Sequence, residues 1–273
     1  MVLILRRITG PLAMLTGRLE RFAETRDPGG QIEPEGPEDL RRLITAHNAM
    51  EARIIGLLDE KDVMLGAIGH DLKTPLAALR VRIECVSDDA ERERMARTIE
   101  DITRTLDDIL SLARVGRPSD PAEQTELSAL VASVVEEYED MGEPVALGAT
   151  ERQVMPVRPT WIRRALRNLI GNGLRYGSRV SVTLEREPGA ARIRISDQGP
   201  GIPDDRIAQM LEPFTRGEPS RNSETGGAGL GLTLARAIAE QHGGTLTLGN
   251  RRTADGAVEG LDAVIRLPLV TTG

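Results

Sequence analysis

The stretch Ala67-Ile68-Gly69-His70-Asp71-Leu72-Lys73-Thr74-Pro75-Leu76 has a helical pattern around an unexpected residue. At about 100° per residue Ile68 and Leu72 share a face, and His70 lies roughly 200° from both, so the pattern turns the imidazole to solvent. Thr74 lies four residues on, on the face of His70. Pro75 lacks the N–H that would bond the Asp71 carbonyl and crowds it, which loosens the helix at the His-Asp pair. Taken alone, this is a surface histidine on a kinked helix. Only three histidines occur in the chain, so what surrounds this one decides its meaning.

Outward from it, Met64, Ile68, Leu72, Leu76, Leu79 and Ile83 extend a stripe that begins with Leu40, Leu43, His47, Met50, Ile54 and Leu57. The spacing predicts one long helix through both sets. A turn is expected at Ser87 to Ala90. Met95, Ile99, Ile102, Leu106 and Ile109 then give a second heptad stripe, which ends near Gly116-Arg117-Pro118. Two such helices in a hairpin expose too much apolar seam to stand alone, so a homodimer closing a four-helix bundle is expected.

Upstream, Ile8, Leu12, Leu15, Leu19 and Phe22 alternate spacings of four and three, a short coiled-coil seam. Arg26 to Asp39 contains Pro28, Gly29, Gly30, Pro34, Gly36 and Pro37 and cannot stay helical. Two seamed helices joined in this way resemble a HAMP relay module, including its early Pro11 and the Gly36-Pro37-Glu38-Asp39-Leu40 lead-in. His47 departs from that pattern, standing where such modules usually carry an aromatic. It could sense pH, although a buried histidine with hydrogen bonds, or one in a loosened layer, is the simpler reading.

The chain has 273 residues and a net charge of −7, with 42 acidic and 35 basic residues. The charges are interleaved, which argues against non-specific nucleic-acid binding. Aromatics are 2% of residues, so the core must be built mainly from aliphatics. The single cysteine, Cys85, excludes an intrachain disulfide, fits a reducing compartment and reads as a small core residue on a helix. Met1-Val-Leu-Ile-Leu5 followed by Arg6-Arg7 is far short of the roughly 20 apolar residues that span a bilayer. It resembles the cytoplasmic end of a membrane helix, and neither a signal peptide nor a transit peptide fits.

Beyond the polar segment Pro118 to Pro121, helices and strands alternate in an α/β pattern. Helices are expected at Leu127 to Tyr138, Trp161 to Tyr176 with Thr160 as cap, and Leu230 to Gln241. Strands are expected at Val145 to Leu147, Val180 to Glu185, Ala191 to Ser196, Thr245 to Gly249 and Ala263 to Leu267. Three pieces here can carry chemistry. Asp197-Gln198-Gly199-Pro200-Gly201 is an acidic residue followed by a tight turn. Gly226-Gly227-Ala228-Gly229-Leu230-Gly231 opens into a helix, where backbone amides can approach phosphate. Asn168 and Asn172 share a helix face, followed by Arg175 and Tyr176: carbonyl oxygens of the kind Mg²⁺ accepts, a cation for phosphate and an aromatic face for a base.

The His70 box, the Asn168 to Tyr176 box, the Asp197-Gly199-Gly201 box, Pro213-Phe214-Thr215-Arg216 and the Gly227-Gly229-Gly231 box occur in the order used by sensor histidine kinases. The chain resembles the EnvZ-like branch of that family over nearly its whole length. The resemblance implies a multidomain fold: an all-α HAMP-like relay over 1–58 and a dimeric four-helix-bundle hairpin for phosphotransfer over 59–118. A catalytic α/β sandwich of the Bergerat (GHKL) ATPase type follows over 119–273. It further implies that His70 is the phosphoacceptor, Asp71 its base and Thr74 the residue that positions water for dephosphorylating a receiver. Asp197 is expected to accept a hydrogen bond from the adenine amino group, and Asn172 to ligate Mg²⁺ with support from Asn168. Arg175 and Arg216 are expected on phosphate oxygens, and Gly227, Gly229 and Gly231 in a lid that begins near Phe214.

The implied protein is a bifunctional, ATP- and Mg²⁺-dependent kinase and phosphatase of a response regulator, membrane-anchored when whole. Rival readings are a Bergerat-fold ATPase that uses hydrolysis mechanically and a non-catalytic dimeric scaffold. Two departures stand out. Gly173 replaces the usual alanine, costing about 1 kcal/mol of helix propensity and threatening a looser nucleotide site, and Arg158 replaces a common acidic residue.

Overall fold

The computed structural model describes residues 9–10, 12–19, 30–115, 122–212 and 229–269. Two compact units are distinguished, residues 1–77 with 116–119, and residues 78–115 with 120–273.

In the first unit, residues 12–19 are helical (α1) and α2 begins at Glu38 in a helix that runs to Ile83. The acidic pair Glu38 and Asp39 suits the positive end of the helix dipole. Leu15, Ile32, Leu40 and Ile44 bury one another, so the connector contributes a core residue. Its backbone is held by Asn48, whose amide nitrogen donates to the Ile32 carbonyl at 2.8 Å while its oxygen accepts the Ile32 N–H at 3.3 Å. His47 is 6% exposed and Glu51 3%, with Nε2 and Oε2 3.9 Å apart. His47 is thus buried as expected, but its Nε2 has no hydrogen-bond partner. The helix passes through Pro75 without interruption.

In the second unit, α2 ends at Ile83 and the chain reverses over residues 84–88. Helix α3 (Asp89–Arg114) is capped by Asp88, which accepts the Glu91 N–H at 3.0 Å. The turn therefore closes before Ala90, earlier than the sequence suggests, because the Asp88 carboxylate takes up a first-turn N–H and lets the helix start at Asp89. Cys85 lies in this turn and is exposed, which corrects its reading as a core residue. Arg80 pairs with Glu100 at 2.8 Å across the turn.

Strand β1 (Glu123–Glu126) leads into α4 (Leu127–Asp140), then β2 (Val145–Thr150), β3 (Val154–Val157) and α5 (Pro159–Tyr176). The hairpin β4 (Val180–Glu187) and β5 (Ala190–Asp197) follows, then α6 (Gly231–Gln241), β6 (Thr245–Arg252) and β7 (Val258–Pro268). A mixed sheet has the order β2-β4-β5-β7-β6, parallel only between β2 and β4, and β1 pairs antiparallel with β3 in a separate ribbon. The strands β1 and β3 escape sequence reading because Glu-Gln-Thr-Glu and Val-Met-Pro-Val are short, and only their pairing makes them strands. One sheet face supplies Val180, Val182, Leu184, Ile193, Ile195, Ile265 and Leu267 to the core. Leu130 and Val134 of α4, Ile162, Leu166 and Ile170 of α5, and Leu234 and Ile238 of α6 cover that face. Their three-to-four spacing is what turns one stripe of each helix inward.

Helix α5 begins at Pro159, with Arg158 at the N-cap position and no side-chain cap, so Thr160 is inside the first turn rather than its cap. Proline is suited to that first position. The Arg158 N–H is instead taken by His242 Nε2 at 3.0 Å, while His242 Nδ1 lies 2.7 Å from the Ile238 carbonyl. A carbonyl only accepts, so Nδ1 carries the proton and the ring is neutral. Burial is the largest influence on this ring and lowers its pKa from 6.5.

Candidate active site

His70 is exposed, and its Nδ1 lies 3.3 Å from Asp71 Oδ1. Adjacent helical residues do not face each other, so this contact requires the short aspartate side chain to fold back along the helix. An ionised carboxylate only accepts, which assigns the proton to Nδ1 and leaves the Nε2 lone pair free. Thr74 Oγ1 donates to the His70 carbonyl at 3.1 Å, which keeps the hydroxyl on the histidine's face.

Asp197 closes β5 and is 7% exposed. Its Oδ1 accepts two main-chain N–H groups, from Gly199 at 2.8 Å and from Leu261 at 3.0 Å. Oδ2 receives no hydrogen bond among the described residues and is left to accept one from a ligand. Close backbone packing fixes the carboxylate. A Cβ on Gly177 would stand 3.0 Å from Asp197 Cβ, one on Gly199 2.7 Å from the Tyr176 carbonyl, and one on Gly260 1.9 Å from the Asp197 carbonyl. Gly201 has φ of 71°, and the following backbone is bracketed by Asn250, which accepts from the Ile202 N–H at 2.9 Å and donates to its carbonyl at 2.6 Å. Arg251 donates to the Asp197 carbonyl at 2.7 Å.

Asn168 and Asn172 lie on α5 against the first residue of α6. A Cβ on Gly231 would meet Asn172 Nδ2 at 3.5 Å and Asn168 Cβ at 3.8 Å. Gly229 precedes it with φ of 69°. Asn168 Nδ2 is buried without a hydrogen bond. Burial raises the pKa of the neighbouring Asp108 carboxyl against the lowering effect of the Arg164 charge and, more weakly, of the Asn168 side chain. Gly173 is needed rather than merely tolerated: a Cβ there would stand 2.8 Å from Val180 Cγ2 and 3.5 Å from Asp197 Cβ. The glycine lets α5 lie close to the Val180 and Asp197 ends of β4 and β5, a packing role that helix propensity alone does not reveal. Tyr176 ends α5 and is exposed. Arg175 is held by Asp101 of α3, Nη2 to Oδ1 3.1 Å. Phe214, Arg216 and Gly227 lie outside the described residues.

Residues 60–118 match the family model of the His Kinase A (phospho-acceptor) domain. Residues 157–271 match the model of the histidine kinase-, DNA gyrase B- and HSP90-like ATPases. Sensor histidine kinase GtrS of Pseudomonas aeruginosa is 33% identical over 94% of this chain and 52% of its own length. The chain belongs to the sensor histidine kinase family. Sensor protein RstB of Escherichia coli is 33% identical over 76% of this kinase chain and 50% of its own. The chain thus spans about half the length of the curated relatives it matches. Full-length ShkA, solved in complex with AMPPNP, shares the fold with a TM-score of 0.58 at 20% identity, over 75% of this chain and 45% of its own. No helix among the described residues is long and apolar enough to cross a membrane.

Four residues of the kinase's ATP-binding domain escaped sequence reading: Asn250, Arg251, Gly260 and Leu261. Each acts on Asp197 or its turn from some 50 or more positions downstream, through backbone contacts that no local motif records. Gly260 lies inside β7 and marks a close approach of another backbone, but it precedes the strand expected at Ala263 to Leu267, so it too gave no signal.

Proposed function

We propose that the chain is the catalytic portion of a dimeric sensor histidine kinase in which neutral His70 takes the γ-phosphoryl group of ATP and passes it to an aspartate of a response-regulator receiver domain. The observation that carries this reading is the exposed His70 ring with Asp71 on Nδ1, in a chain whose Asp197 keeps one oxygen free for an adenine amino group.

The Nε2 lone pair forms the N–P bond as the bond from phosphorus to the bridging oxygen breaks, and ADP leaves with that electron pair. Asp71 holds the proton at Nδ1 and can take it from the charged ring. Transfer to the receiver carboxylate breaks the N–P bond and forms a P–O bond, the electron pair returns to Nε2, and Asp71 gives the proton back to Nδ1, which restores the neutral ring. Thr74, poised on the His70 face, orients water for the reverse duty, hydrolysis of the receiver's acyl phosphate.

The fit of Mg²⁺ rests on the amide oxygen of Asn172 beside the α6 N-terminus, a hard donor of the type this ion accepts. When bound, the ion supplies neutralisation of phosphate charge. Asn172 is its proposed ligand and Asn168 supports Asn172; Arg175 and Arg216 hold phosphate oxygens, Tyr176 offers a face to the base, and Gly227, Gly229 and Gly231 shape the lid. Residues 1–58, with the Asn48-clamped connector, act as the relay, 59–118 as the dimerisation hairpin and 119–273 as the catalytic domain. Met64, Ile68, Leu72, Met95 and Ile102 are exposed in the single chain, which supports pairing with a second copy. The whole protein is proposed to be anchored in a bacterial inner membrane with this portion in the cytoplasm.

The test is incubation with γ-labelled ATP and Mg²⁺. Acid-labile label is expected on wild type and is absent from His70→Ala, which still binds a nucleotide analogue. Label retained by His70→Ala rejects the site; ATP hydrolysis with no label on wild type points to a Bergerat-fold ATPase instead.

A further inference from the structure

Two acidic residues of α3 face the nucleotide-directed side of α5. Asp101 Oδ1 holds Arg175 Nη2 at 3.1 Å, and seven residues later Asp108 lies 3.9 Å from Arg164 Nη2 with Asn168 beside it. The same Arg164 nitrogen donates to the Asp107 carbonyl at 2.6 Å. Position rises along α3 as it falls along α5, and the link between the two helices is carried by these long arginine side chains, while the backbone of α3 packs chiefly against α6. Leu110 is buried, and Leu112 and Val115 pack on the domain core, which fixes the register of these contacts.

We propose that this face of α3 is a competitive latch: Asp101 and Asp108 occupy Arg175 and the surroundings of Asn168, which nucleotide phosphate must claim, so docking of α3 on α5 and nucleotide binding oppose each other. The proposal rests on the nucleotide reading given above for Asn168, Asn172 and Arg175. Arg175 cannot give the same guanidinium edge to a carboxylate and to a phosphate. In the docked arrangement Asp101 also places a negative charge where the phosphates would come. Binding therefore requires Arg175 to leave Asp101, and by linkage a bound nucleotide weakens the docking of α3 to the same degree.

The test uses the full chain with Mg²⁺ and a non-hydrolysable ATP analogue. Asp101→Asn removes the competing charge with almost no change of shape, and its analogue Kd is expected to fall roughly two- to fivefold, the range for a partly exposed ion pair. Asp101→Asn with Asp108→Asn together should tighten binding further, and Asp101→Glu should restore wild-type affinity. In wild type, the analogue should speed amide hydrogen exchange along residues 101–112. Unchanged or weaker binding in both asparagine variants, or exchange in α3 that slows with nucleotide, overturns the latch. Wild type that fails to bind the analogue overturns the nucleotide reading instead.

Discussion

Gly260 and Asp197 touch through their backbones: a Cβ on Gly260 would stand 1.9 Å from the Asp197 carbonyl oxygen. The same stretch of β7 supplies the Leu261 N–H that holds Asp197 Oδ1. The position of the carboxylate is thus set by how closely β7 can approach the end of β5. Gly260→Ala is expected to push the strands apart, lowering stability by about 2 kcal/mol and weakening nucleotide affinity together with it. Gly249→Ala, with nothing within 4 Å of the added Cβ, is the control. Thermal unfolding and titration of an ATP analogue measure both effects.

Asp197→Asn should separate folding from binding. The amide oxygen can keep accepting from Gly199 and Leu261, whereas the amide nitrogen turns the free acceptor position into a donor toward the adenine amino group proposed to bind there. Affinity for an adenine nucleotide is expected to fall about 10- to 100-fold, as for loss of a hydrogen bond to a charged group. The melting temperature should change little; a large drop in it would show that the substitution acts on the fold.

At Gly173 two effects have opposite signs. Alanine improves helix propensity by about 1 kcal/mol, but the added methyl meets Val180 Cγ2 at 2.8 Å in a closely packed core. Gly173→Ala is expected to be net destabilising by about 1 kcal/mol, and Gly173→Ala with Val180→Ala to recover part of the loss. Urea denaturation of the three variants measures this.

His242 predicts a pH dependence of stability. Its folded pKa is lowered from 6.5 by burial, so below about 6.5 the unfolded chain takes up a proton that the folded ring excludes. The stability it contributes is full above that value and declines as pH falls below it, by at most about 1.4 kcal/mol per pH unit. In denaturation at pH 7.5 and 5.5, His242→Gln should show a shallower dependence than wild type.

Thr74→Ala removes the hydroxyl that lies on the His70 face without touching the ring or Asp71. Labelling of His70 should persist near wild-type rate, while dephosphorylation of a labelled receiver slows about tenfold or more, the scale of a lost positioning group. Equal dephosphorylation by both proteins would exclude the role given to Thr74.

The long helices were legible because their cause is local: apolar residues every three or four positions from Leu40 to Ile83 specify a helix whatever it packs on. Local chemistry also marked Asp197, Asn172 and the glycine turns, whose spacing is short enough to be written in a motif. His70 belongs with them, since its exposure follows from the angle between it and Ile68. The departures are equally instructive. Thr160 was a plausible cap, yet the backbone donor near it found His242, 84 residues away along the chain. Gly173 read as a weakness until Val180 was set against it.

By itself, then, the sequence determined the helical stripes, the α/β alternation and the residue types able to do chemistry, because periodicity and short spacing survive in one dimension. Only the tertiary structure decided which Asp197 oxygen stays free, why Gly173 and Gly260 must lack side chains, and that Arg175 rests on Asp101. Those outcomes depend on distances between backbones far apart in the chain, and such distances exist only once the sheet and helices have packed.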